Sequence, residues 1–259
     1  MRSPRDTGFA VALCAVLTAY NNVIGGQPWH RRWYAPVNAA AVGVVLAAAA
    51  ANGLTAADLG LGRGAWRPGR LGSLLPAATA AGWLVAAKMP AARPFLNDKR
   101  ITTLDRRALA YQVAFRIPVG TVLWEEIAFR GVLQAALRRV MSEPAAIAAT
   151  SGVFGIWHIR PTAAALRVNG LADDRRQATA RVAAGVAATT AGGVLFSWLR
   201  ARSGSLVAPV LLHLATNCVG PVIVWAVAHE RDVKPPPRSA ALPCPGKPTV
   251  AQAPATVQG

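Results

Sequence analysis

Charge in this chain is confined to the connectors between uncharged stretches, and that segregation restricts the fold more than any other feature. Residues 39–51 and 71–87 contain no Asp, Glu, Lys or Arg, while arginines crowd the segments between such stretches. A charge at the centre of a bilayer costs roughly 2.5–3.5 kcal/mol on insertion scales, so alternating apolar runs and basic connectors are what a polytopic helical membrane protein requires. Composition agrees: 53% of the 259 residues are hydrophobic and 15% charged, with a mean hydropathy of +0.33, too apolar for an ordinary soluble domain. The net charge of +17 also raises nucleic acid. No nucleic-acid partner is expected, however, because the basic residues lie between hydrophobic runs instead of along one stripe with interleaved aromatics. Membrane lipids with anionic headgroups, together with positive-inside bias, account for them.

Apolar runs measured against the ~20 residues that cross a ~30 Å hydrocarbon core give about seven transmembrane helices. They fall near residues 9–24, 35–54, 71–89, 108–137, 145–158, 182–199 and 206–228, predicting an all-α integral membrane protein. Pro118 is expected to kink the over-long fourth run or divide it, since proline lacks the backbone donor. The fifth run is short and ends at Pro161. The organisation is therefore N-terminal helices over 1–107, a helical core over 108–229, and a Pro-rich tail over 230–259 that cannot bury a core and is expected to be disordered. Basic residues divide fifteen against nine between the two membrane faces, in favour of the side bearing Arg31, Arg100, Arg160 and Arg167 and away from the side of the N-terminus and even-numbered connectors, which places the richer side in the cytoplasm. Cys14, Cys218 and Cys244 show neither metal nor redox spacing.

Ionisable groups inside spans are functional candidates, because an idle one is expensive there. Trp124-Glu125-Glu126-Ile127-Ala128-Phe129-Arg130-Gly131 places two carboxylates and an arginine in the fourth run. Glu126 and Arg130 are four apart, the spacing of a same-face ion pair. Glu125 is turned about 100° away and is left to face something else. The fifth run carries Phe154 and His158 on one face, and the seventh carries His213 and Asn217 on one face. Together Glu125, His158, His213 and Asn217 supply a carboxylate, two imidazoles and an amide, enough to deprotonate a water and stabilise an oxyanion. All lie in the half nearer the cytoplasmic connectors. His30 and His229, beside charged or aromatic connector residues, are read as surface groups.

Glu-Glu-x-x-x-Arg at Glu125, Glu126 and Arg130, Phe-x-x-x-His at Phe154 and His158, and His-x-x-x-Asn at His213 and Asn217 resemble, in order and spacing, the three motifs of the CPBP family, also called the Abi or type II CAAX prenyl endopeptidase family. The stretch Arg202-Ser203-Gly204-Ser205-Leu206 leading to His213 also looks like that family's approach to its third motif. The resemblance covers roughly residues 110–220. It implies an all-helical intramembrane protease with a cavity open to the cytosol, in which Glu125 and His158 activate the hydrolytic water while His213 and Asn217 support the tetrahedral intermediate. Glu126, Arg130 and Phe154 would support them. Two histidines and a carboxylate, His158, His213 and Glu125, could hold a divalent metal such as zinc with one position open. Asn is an unusual ligand, however, and no His-Glu-x-x-His helix is present. A metalloprotease and a metal-free glutamate mechanism stand about equal.

Two other readings compete. One is a non-catalytic membrane scaffold or bacteriocin self-immunity protein. The other is a small transporter, disfavoured by the lack of an internal repeat. The expected partner is a protein or peptide substrate. The Ala- and Arg-rich composition looks like a GC-rich bacterial genome and so a bacterial cell membrane.

Overall fold

The computed structural model describes residues 3–233. Among them there is no strand, and eight helices carry the architecture: α1 Pro4–Val23, α2 Tyr34–Ala51, α3 Gly69–Lys88, α4 over 106–140, α5 Glu143–Trp157, α6 Ile159–Val168, α7 Arg175–Ser203 and α8 over 207–233. The Pro-rich tail and Cys244 lie outside the described residues. Local sequence sets several boundaries. Pro4 opens α1 where its missing N–H costs nothing. Asp105 and Asp174 cap α4 and α7 by accepting from Ala108 N and Gln177 N. Gly204, at φ 65°, ends α7 in the left-handed conformation that side chains disfavour.

Four helices, Pro4–Gly26, Tyr34–Ala51, Arg175–Ser203 and Val207–Glu230, are long and apolar enough to cross a membrane by length and composition, fewer than the seven expected. The other three runs form helices where expected but fall short for separate reasons. Helix α3 is bounded by Arg70 and Lys88 and holds Ser73, Pro76 and Thr79. Helix α4 carries the buried charges. Helix α5 has 15 residues, a rise of roughly 22 Å against a core of ~30 Å. In the four candidate spans only 17–22% of the most apolar window is buried within the protein, so apolar side chains such as Val11, Val44, Val194 and Val222 point outward. That inside-out distribution suits lipid as the solvent.

The bundle closes around α4. Residues from α1, α2, α4 and α5, among them Leu17, Ala49, Phe129, Leu133 and Trp157, share one buried cluster. Helices α1 and α2 thus pack into the same core as α4 and α5. Helix α5 crosses α7 at glycines: a Cβ at Gly155 would collide with Thr190 Oγ1, and one at Gly193 would meet Ser151 Cα at 3.2 Å. Small residues permit such close backbone approach between membrane helices.

Two expectations about α4 and α5 need correction. Pro118 neither divides nor ends α4, because the chain passes it in wider π-helical turns, over Gln112–Arg116, Pro118–Leu123 and Glu126–Leu133. An i→i+5 ladder absorbs the missing donor without a break. The fifth run ends near 158 as its expected bounds have it, but the chain does not stop being helical at Pro161. It breaks at His158 and restarts as α6, with Pro161 in the first turn, where proline is tolerated.

Candidate active site

His158 occupies the break between α5 and α6, at φ −90° and ψ 1°. The break is held by two asparagines of α1. Asn22 Nδ2 donates to the Ile156 carbonyl at 3.0 Å, and Asn22 Oδ1 accepts from the Arg160 backbone N–H at 3.2 Å. One side-chain amide is thereby inserted into the i→i+4 step from 156 to 160. Pro161 has no N–H to offer the Trp157 carbonyl, and Asn21 Nδ2 supplies that donor at 3.0 Å. The Ile156 and Trp157 carbonyls and the Arg160 N–H, freed by the break, thus each have a partner. His158 Nδ1 donates to the Phe154 carbonyl at 2.7 Å, leaving Nε2 as the ring atom without a commitment. Phe154 also lies edge-on to the imidazole, with centroids 4.5 Å apart.

Glu126, fully buried, faces away from this break. Its Oε1 accepts from Arg130 at 3.1 Å and lies 2.7 Å from His213 Nδ1. Beside a carboxylate acceptor Nδ1 carries the proton, so His213 Nε2 accepts from Asn217 Nδ2 at 2.9 Å. Arg130 is buried in an aromatic box, 4.1 Å from the Phe154 ring centroid and 5.0 Å from that of Phe196. Cation–π attraction is worth more when the cation is desolvated. Phe154 therefore serves both the arginine and the second histidine. The His213 to Asn217 step falls where α8 enters π-helical turns, Ala215–Val219.

Glu125, next in sequence, has a different environment. Its Oε1 accepts from Trp157 Nε1 at 3.3 Å, while Oε2, buried, has no hydrogen-bond partner. His213 Nε2, unprotonated in this tautomer, lies 3.9 Å from Oε2. Tyr20 backs the tryptophan in a parallel stack, 5.7 Å between centroids. Glu125, His158 and Asn217 together line a cavity of about 580 Å³, and His213 stands behind its wall. The four residues singled out from the sequence are thus close, but three face the cavity and His213 reaches it through Asn217.

The prospective metal ligands Glu125, His158 and His213 do not form a ligand set. Among the described residues no three His, Cys, Asp or Glu side chains stand together at metal-holding distance. Both ring nitrogens of His213 are already engaged, by Glu126 and Asn217. A metal there would have to displace one of them.

Sequence reasoning missed several members of this environment. His30, expected at the surface, is fully buried, with Nε2 3.2 Å from Asn38 Oδ1 and 3.3 Å from the Tyr20 hydroxyl. Asn38 in turn donates to the Gly120 carbonyl at 2.6 Å. Its partners lie on α1, α2 and α4, so no local pattern could have disclosed it. His229 is half-buried and stacked on Trp225, centroids 4.1 Å apart. Asn21-Asn22 did leave a signal: two adjacent amides inside an apolar run need partners.

Residues 108–219 match a family model described as type II CAAX prenyl endopeptidase, Rce1-like. The match covers less than half of the chain and contains all three motifs. Neither a curated protein nor a solved structure matches the chain. Peptidase activity of the CAAX type, within a membrane protein, is what that family implies.

Proposed function

We propose, for a chain whose residues 108–219 belong to the type II CAAX prenyl endopeptidase family, that it is an intramembrane endopeptidase whose general base is Glu125. One observation carries the reading: a buried carboxylate oxygen, Glu125 Oε2, is left without a partner on a cavity shared with His158 and Asn217. Glu126 Oε2 is likewise buried without a partner, but Glu126 does not line the cavity, so it is the cavity that singles out Glu125.

In the proposed reaction a water sits between Glu125 Oε2 and His158 Nε2. Glu125 takes a proton as the water oxygen attacks the carbonyl carbon of the scissile peptide. The carbonyl oxygen becomes an oxyanion, and the Asn217 amide donates to it. That donor is worth about 10²–10³-fold by analogy with other oxyanion holes. The C–N bond then breaks, and the proton on Glu125 passes to the departing amine. His213, held by Glu126 and Arg130, fixes Asn217 and acts as a positioning residue. No step runs through a metal, because the His213 nitrogens are committed. The arginines around the cavity mouth belong to the connectors assigned to the cytoplasm, so the substrate is a protein or peptide segment reaching the site from that side.

The test compares membranes of cells carrying the native chain or Glu125→Gln by proteomics, then measures cleavage of any accumulated protein by both purified forms. Cleavage should fall about 10²–10⁴-fold with thermal stability unchanged. Full activity in Glu125→Gln would remove the assignment.

A further inference from the structure

Charge on the cavity wall constrains what the proposed hydrolysis can accept. Arg31, Arg100, Arg116, Arg160 and Arg167 line the cavity against a single carboxylate, Glu125. Arg100 is paired with Asp98 at 2.6 Å. Among the described residues the other four stand in no salt bridge. Arg116 is half-buried, with its guanidinium 4.1 Å over the Tyr34 ring and donating to Gln112. Arg160, also half-buried, donates to the backbone carbonyls of Asn22 and Val23. Arg160 and Arg167 are seven apart, two turns along one face of α6. These cations come from four separate segments and meet at one cavity. Lipid headgroups explain arginines on the outside of connectors, but not guanidinium groups lining the space that Glu125 lines.

Uncompensated like charges around a partly enclosed space are relieved by an anion, and the guanidinium fork matches a carboxylate. We infer that the cavity selects peptides bearing a carboxylate, an acidic side chain or a free C-terminus, held by Arg116 and Arg160 with Arg31 and Arg167 at the mouth. The inference deepens the endopeptidase reading and rests on it. Geometry sets the spacing. Arg116 precedes Glu125 by nine residues on α4, a rise of at most about 13 Å at the α-helical pitch and less through the wider π-helical turns. An extended peptide at ~3.3 Å per residue then places its carboxylate at most about four residues from the bond over Glu125. An acid beside that bond would be repelled by Glu125 itself.

The full chain, purified in uncharged detergent, is given a randomised peptide library with free or amidated C-termini, and the cleavage products are sequenced. In parallel, binding to the Glu125→Gln form is measured for three matched peptides: one containing Glu and amidated, its Gln analogue with a free C-terminus, and the Gln analogue amidated. At least one carboxylate peptide should bind tenfold or more tightly than the neutral one, which also identifies the source of the charge. The preference should shrink with added salt. It should also fall below threefold in Arg116→Gln and in the doubly substituted Arg31→Gln, Arg167→Gln form, whose exposed positions spare the fold. Equal binding of all three peptides, or a preference unchanged in every arginine variant, overturns the inference. Cleavage without any charge preference sinks the inference and leaves the endopeptidase reading standing. A charge preference in binding with no cleavage of any peptide does the reverse.

Discussion

Adjacent carboxylates on one helix meet opposite fates on the two sides of α4. On the packed side one oxygen of Glu126 serves both Arg130 and His213, the other is sealed in without a partner, and Phe154 and Phe196 close over the guanidinium. On the cavity side Glu125 is held by a single tryptophan N–H, and its second oxygen is idle. The contrast separates structure from chemistry. Each glutamate keeps one oxygen without a partner, but Glu126 is locked to Arg130 and His213 away from the cavity, while Glu125 lines it and can meet a substrate.

The comparison breaks most visibly if the two glutamates respond alike. Glu126→Gln should cost about 3–5 kcal/mol, because it leaves the buried Arg130 without its counter-charge. A thermal melt of the purified variant beside Glu125→Gln checks this, and equal melting temperatures would erase the distinction between the sides. Next in size is the α1 clamp. Asn22→Leu removes partners from the Ile156 carbonyl and the Arg160 N–H, each costing about 1–3 kcal/mol if left buried and unpaired. Turnover should fall with stability, whereas Asn22→Asp, which still accepts from Arg160, should retain more of both. Trp157→Phe keeps the ring stacked on Tyr20 but removes the donor to Glu125. A loss of about 1.4 kcal/mol, roughly tenfold in kcat with KM little changed, is expected from one charge-assisted hydrogen bond.

The smallest effect lies at the cavity mouth. Burial of Asp98 opposes its ionisation, but hydrogen bonds from Arg100 and Asn169 outweigh it and hold the carboxyl below its ordinary value. A depressed acid stabilises the fold above its unfolded pKa and loses that contribution as pH falls through the folded one. Asp98→Asn should therefore lower stability by under about 1 kcal/mol at neutral pH, a difference that closes on strong acidification in parallel melts.

Much of this contrast was legible in the sequence, for a physical reason. Helical period turns neighbours about 100° apart, so Glu125 and Glu126 had to face different surroundings, and partners four apart had to share a face. The positions of the long helices were equally readable from apolar runs. Whether each run spans was not, because Arg70, Lys88 and the brevity of α5 matter as much as its apolar content. The break at His158 was obscured because Pro161 marks a stop and a start equally well, and the asparagines that decide between them are more than 130 residues away. His30 was misplaced for the same kind of reason, since its burial depends on side chains from other helices.

Asn21 and Asn22 also bear on where the working unit begins. They complete the backbone ladder on either side of His158, yet they lie 86 or more residues before the matched segment starts at 108. A fragment cut at that boundary would carry every motif and still leave two carbonyls and one N–H without their partners around His158. The motifs are portable between chains, but the shape of this break is not, and a transplant of residues 108–219 would have to bring its own amides.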